Sequence, residues 1–198
     1  MRVILAAWVA AAITVPATAQ EIVSEYTDLN VDKHCSTFAA GEKGEGDWSN
    51  FVCQGWRGYP VLIYYADAHE SLFYGFPQGG DLAPNWESFD GFNQSGPRIE
   101  WRIERDGPRA VPFATIHRRS VTVSDGHKPV EVLVVQKVGE LHAREGCVVG
   151  YVVATGNPDA NEKARRIADG IARGFSCGEP PKIDAGSVPV SAFNRVEN

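Results

Sequence analysis

From Ile99 onward, apolar and polar residues alternate. In "IEWRIE", Ile99, Trp101 and Ile103 fall on one side, and Glu100, Arg102 and Glu104 fall on the other. A period of two places one face against a core, so the pattern predicts a strand. Asp106-Gly107-Pro108 predicts a turn, and "VPFATIHRRSVTV" predicts the next strand. Asp125-Gly126 is a hairpin signal, "PVEVLVVQKV" the return strand, and "CVVGYVVA" a further one. Upstream, "YPVLIYYADAHESLFYGF" predicts a hairpin. Val61, Ile63 and Tyr65 share a face of its first strand, Leu72, Tyr74 and Phe76 share a face of its second, and Asp67 to Glu70 form the turn. Six or so strands in succession with short turns predict an antiparallel meander.

The period then lengthens. In "ATGNPDANEKARRIADGIARGFSCG", Ala160, Ala164, Ile167, Ala168 and Ile171 recur at helical spacing. Asn157 suits the N-cap, Pro158 the first helical position and Gly174 the stop. The outer face alternates in charge. Glu162 with Arg166, and Asp169 with Arg173, are i,i+4 partners, so the helix reads as a lid on the sheet with a solvated back. The predicted fold class is α+β: an antiparallel sheet meander closed by a C-terminal amphipathic helix.

The ends divide the chain. Met1-Arg2, the apolar run Val3 to Val15, and Pro16-Ala17-Thr18-Ala19 follow the signal-peptide pattern, with Gln20 as the first mature residue. The run is shorter than the roughly 20 residues that span a bilayer. Residues 1–19 are therefore expected to be a signal peptide, 20–178 one domain, and 179–198 a loose tail without periodicity. The expected location is periplasmic or secreted, with no membrane span. The chain carries a formal charge of −6, which becomes −7 once Arg2 is removed. An acidic chain is poorly suited to neutralising phosphates, so no nucleic-acid partner is expected.

Four cysteines remain in the mature chain: Cys35, Cys53, Cys147 and Cys177. An even count in an exported chain predicts disulfides. Three pairings are possible. Cys35–Cys53 with Cys147–Cys177 is favoured because each pair encloses a local segment. No CxxC occurs, so no metal is expected.

Residues 77–97 are rich in Gly, Pro, Asn and Asp and predict a long loop. Loops of that length tend to carry function. Three aromatics in it, Trp86, Phe89 and Phe92, form a candidate binding surface for a protein or glycan, because a loop has little core of its own to fill.

The segments "HCSTF", "WSNFVCQGWRGYPVLIYYAD", "LFYGF", "IEWRI", "PFATIHR" and "CVVGYVVATGNPDANEKARRIADGIARGFSCG" together resemble a group of uncharacterised exported proteins of alphaproteobacteria. The resemblance covers most of the mature chain. It implies a periplasmic location and paired cysteines, and it implies no activity. The order of elements is also similar to the Mog1/PsbP-like fold, by topology alone.

No GxSxG, HExxH, phosphate-loop or EF-hand pattern is present. His117, beside Arg118 and Arg119, is the one histidine placed mid-strand. His69 and His127 fall in turns and His142 in a connection. No catalytic, cofactor or metal residues are assigned. The expected function is a non-enzymatic binding or accessory protein of the cell envelope. The alternatives are a periplasmic hydrolase using His117 with a carboxylate from elsewhere, and a purely structural envelope protein.

Overall fold

The computed structural model describes residues 21–79, 83–123 and 128–197. The expected signal peptide, His127 and the Asp125-Gly126 hairpin turn lie outside the described residues. In chain order the elements are β1 (Glu21–Asp28), α1 (Val31–His34), β2 (Cys35–Ala40), β3 (Trp48–Gln54), β4 (Pro60–Ala66), β5 (His69–Tyr74), β6 (Asn85–Phe89), β7 (Asn93–Asp106), β8 (Arg109–Val121), β9 (Val130–Lys137), β10 (Cys147–Val153), α2 (Ala160–Ile171), β11 (Lys182–Asp184) and β12 (Phe193–Glu197).

Among the described residues, twelve strands form three sheets. A six-stranded sheet runs β1-β7-β8-β9-β10-β11, a four-stranded sheet runs β2-β3-β4-β5, and β6 pairs with β12. Three features depart from a simple meander. β1 pairs with β7, far away in sequence. β11 joins β10 in parallel. And the sheets remain open: α2 covers one face of the large sheet and does not close it.

The alternation in β7 explains the layering. Ile99, Trp101 and Ile103 are fully buried against Val61, Ile63, Leu72 and Tyr74 of the small sheet. The ring of Trp101 stands edge-on to Tyr74, 5.9 Å between centroids. On the opposite face of the large sheet, Phe113, Ile116, Leu133, Val135 and Val149 pack under α2. The small residues Ala160, Ala164, Ala168 and Ala172 bring the helix close.

Four expectations need correcting at the helix. It begins at Ala160 after Asp159, and no side chain caps it. Asn157 instead donates from Nδ2 to the Val153 carbonyl. Ile167 is only half-buried, and Ile171 is 40% exposed. The backbone leaves helical geometry at Ile171, and Ala172, four residues after Ala168, continues the inward row.

The charged faces are also arranged differently. Glu100 and Arg102, expected on a solvated side, are buried under α2. Arg102 grips Asp169 with two hydrogen bonds, Nε to Oδ1 at 2.8 Å and Nη2 to Oδ2 at 2.7 Å. Arg165 holds Glu100 at 2.7 and 3.1 Å, and the Ser24 hydroxyl donates to Glu100 at 2.6 Å. Arg173 ion-pairs with Glu104, not with the Asp169 carboxylate. Among the helix pairs expected along the surface, Glu162–Arg166 forms.

Both favoured disulfides are present, Cys35–Cys53 and Cys147–Cys177. The first joins β2 to β3, and the second ties the start of β10 to the chain just beyond α2. They fit an oxidising, exported environment. No helix among the described residues is long and apolar enough to cross a membrane.

Two segments expected to be irregular are structured. The 77–97 stretch contains β6 and the start of β7, and the 179–198 tail contains β11 and β12. Each supplies what the other lacks: β6 finds its ladder partner in β12, from Phe193↔Phe89 to Glu197↔Asn85. Glu87, almost fully buried, accepts from Val148 N–H at 2.8 Å and from Arg195 Nε at 2.6 Å. Arg195 donates onward to the carbonyls of Val148 and Glu179. Burial raises the Glu87 carboxyl above its ordinary range, and Arg195 opposes this.

Candidate functional site

His117 lies in the interior. It is 1% exposed, on the face of β8 turned toward the small sheet. Its Nε2 is 2.7 Å from the Gly96 carbonyl, which can only accept, so Nε2 carries the proton. Nδ1 then accepts from the Tyr74 hydroxyl at 2.6 Å. Burial, with the neighbouring Arg119 charge adding to it and the Gly96 bond opposing, pushes the imidazole down to about 4. Burial likewise raises the Tyr74 phenol, with Arg119 drawing it down and Glu70 pushing it up. The ring is a neutral structural link between β5 and β8. The carboxylate that a hydrolase would need is not among its hydrogen-bond partners.

Arg119, two residues on, is fully buried. Its Nη1 donates to the Glu70 carbonyl at 3.1 Å, while Nε and Nη2 find no hydrogen-bond acceptor among the described residues. That same carbonyl accepts from the Ser88 hydroxyl, and the Glu70 carboxylate accepts from Ser95 N–H at 2.7 Å. Glu70 is thus fixed from behind by both backbone and side chain.

Glu70 is also a wall of a cleft of about 420 Å³. Tyr65, Ala68, Phe92, Asn93, Gln94 and Ser120 complete most of the lining. The cleft sits where the β4–β5 turn meets the β6–β7 connection, over the end of β8. Asp67 and Ala68, in the turn, take left-handed conformations at φ 46° and 59°. Non-glycine residues adopt these at a cost, and such strain concentrates at functional positions.

The three candidate aromatics part company here. Phe89 is 2% exposed, its ring 5.4 Å from Tyr151 and 5.3 Å from Phe193. It is core and offers nothing to a partner. Trp86 is half-buried against Leu62, Tyr64, Phe73 and Ala83. Phe92 alone of the three stands in the open, 55% exposed.

Its exposure is not that of a loose loop. Thr122 N–H donates to the Phe92 carbonyl at 2.8 Å, Asn93 N–H to Ala68 at 3.0 Å, and Asp90 N–H to Ala192 at 2.9 Å. The His69 ring bridges the two segments, Nδ1 at 2.6 Å from the Asp67 carbonyl and Nε2 at 3.2 Å from the Asp90 carbonyl, and lies 5.3 Å from the Phe92 ring. At Gly91 an added Cβ would come within 1.9 Å of the Thr122 carbonyl, so only glycine permits this approach. A rigid backbone holds an apolar ring in water.

Sequence reasoning named Phe92 but missed the rest of the cleft. Glu70 and Asn93 come from elements that alternation alone does not bring together. The left-handed Asp67-Ala68 turn leaves no signal stronger than an ordinary polar turn. Among the described residues, no group of three or more His, Cys, Asp or Glu is placed to hold a metal ion. The chain matches no protein-family model, no curated protein and no solved structure.

Proposed function

We propose that this is an exported, non-enzymatic binding or accessory protein of the cell envelope, and that it presents the Phe92 cleft to its ligand. The observation that carries this reading is the pinned exposure of Phe92 over a cleft with polar walls. Fully burying a Phe side chain is worth about 2–3 kcal/mol, so a backbone that leaves one 55% exposed forgoes about half of that gain. A ligand that covers the ring recovers it. Binding sites of this kind combine an apolar contact with a few placed polar groups. The two disulfides and the resemblance to exported alphaproteobacterial proteins support the location. The buried, neutral state of His117 gives the hydrolase reading no support, and a purely structural envelope protein would have no use for the cleft.

The test is a photo-crosslinking residue placed at position 92 of the full chain in producing cells. The same residue at Leu141, also about half exposed at 51%, is the control. Adducts at 92 and not at 141 are expected. Equal labelling, or none at 92, overturns the reading.

A further inference from the structure

We infer that the ligand group entering the Phe92 cleft is an organic cation, an alkylammonium or quaternary ammonium head. This rests on the reading of the cleft as a binding site and adds its chemistry.

Two features of the lining point to positive charge. The first is a pair of aromatic residues, Phe92 and Tyr65. Aromatic faces attract cations through the ring quadrupole. The Tyr65 hydroxyl points to the Asp47 carboxylate at 3.3 Å, and donating to an anion enriches its ring in electrons. The second is the Glu70 carboxylate in the wall. Ser95 N–H occupies only Oε2, and Oε1 has no donor among the described residues. Asn93, 95% buried, also belongs to the lining, with its Nδ2 held by the Ser88 hydroxyl and the Gly91 carbonyl and its Oδ1 out of reach of solvent. The Gln94 amide and the Ser120 and Thr122 hydroxyls of the lining can donate as well as accept, so Glu70 is the group that distinguishes a cation from other ligands.

Charges of both signs stand around the lining, but among the described residues Glu70 is the charged one in the wall. Asp67 precedes Ala68, Asp90 lies two residues before Phe92, and Asp47 stands behind Tyr65. Opposed to them are Lys128, next to the lining residue Pro129, and Arg119 behind the Glu70 carbonyl. Neither Arg119 nor Lys128 lines the cleft. An anionic ligand would meet Glu70 with no cation in the wall to hold it. A neutral sugar would find the aromatic platform but would leave the carboxylate unneutralised.

Nuclear magnetic resonance titration of the full mature chain separates these classes. The probes are choline and propylammonium as cations, N-acetylglucosamine as the neutral sugar, and acetate as the anion. The cations are expected to shift the amides of Glu70, Phe92 and Asn93 in the millimolar range. Phe92→Leu keeps most of the apolar area and removes the quadrupole, and should weaken the cation by about fivefold or more. Glu70→Gln keeps an oxygen for Ser95 N–H while removing the charge, and should weaken it by a similar factor. Each variant is first melted beside the wild type, and the two report independently if one fails to fold. Cation binding unchanged in Phe92→Leu or in Glu70→Gln overturns the inference. So does preferential binding of the sugar or of acetate at the same amides, which would leave the binding reading intact. If no probe shifts the cleft, the ligand class is wrong, and the crosslink at position 92 decides separately whether anything binds there.

Discussion

Replacing Arg102 by Ala should destabilise the protein far more than replacing either helix arginine, Arg165 or Arg166. The Arg102 side chain is 9% exposed and makes two hydrogen bonds to Asp169, one to Ser24, and a 3.6 Å contact with Glu100. Removing one partner of a buried pair costs about 3–5 kcal/mol when the other charge is left uncompensated. Compensation here is partial. Asp169 is 30% exposed and rehydrates, and Glu100 keeps Arg165 and Ser24. The loss should therefore sit near the low end, about 3 kcal/mol, part of it from the buried stem. Arg165 is 40% exposed and Glu100 retains Arg102, so Arg165→Ala should cost about 1 kcal/mol once solvent screening is allowed for. Arg166→Ala breaks a pair 60% and 72% exposed and should cost under about 0.5 kcal/mol. Urea melts with unchanged slope give these differences directly. In thermal melts, at about 2–4 °C per kcal/mol for a chain of this size, they should be resolved as well. If Arg102→Ala melts together with Arg166→Ala, the interlayer ion network contributes nothing to stability and the reasoning fails.

Acid should loosen the fold through His117. Its folded value of about 4 lies below the ordinary 6.5, so the unfolded chain takes up the proton first, and stability falls as pH drops from 6.5 toward 4. Between pH 7 and 5 the histidine accounts for about 2 kcal/mol. Glu87, raised by burial, works in the opposite direction in wild type and variant alike. A His117→Gln variant should therefore show a flatter pH dependence in denaturant melts, and an unchanged slope would remove His117 as the cause. Intact mass of the protein recovered from its producing cells should correspond to a chain beginning near Gln20 with two disulfides, and peptide mapping should link Cys35 to Cys53 and Cys147 to Cys177; a free thiol or a crossed link would contradict the structure. Reducing both bonds should cost roughly 3 kcal/mol each in the chain-entropy model.

Local patterns were legible in the sequence, and long-range pairings were not. The alternation at Ile99, Trp101 and Ile103 placed the second half of β7 because one face there is wholly apolar, while its start at Asn93 was read as loop. The alanines of α2 announced close packing, and neighbouring cysteines announced their partners. Glu100 and Arg102 were read as solvated because alternation separates faces without saying what covers them. The helix i,i+4 rule paired Asp169 with Arg173 because it sees only along one helix, whereas Arg102 approaches from the sheet. "NWESF" was read as loop for the same reason. Its glycine- and proline-rich flanks are visible locally, but the strand that completes it lies more than a hundred residues downstream. In the cleft, the exposure of Phe92 followed from its loop position. The burial of Phe89 did not, since Tyr151 and Phe193 reach it from elsewhere.

The β6–β12 ladder also sets the timing of folding. Glu87 is held by Arg195 across 108 residues, and Phe89 is covered by Phe193 from the same late strand. While a chain is threaded outward from its N-terminal end, β6 emerges with neither its ladder nor its counter-charge. A nearly buried carboxylate cannot be desolvated cheaply without that partner. The stretch around β6 therefore has to wait for Phe193–Glu197, and contacts so distant in sequence form slowly in any case. The last strand to be made is thus the one that lets β6 take its final packing.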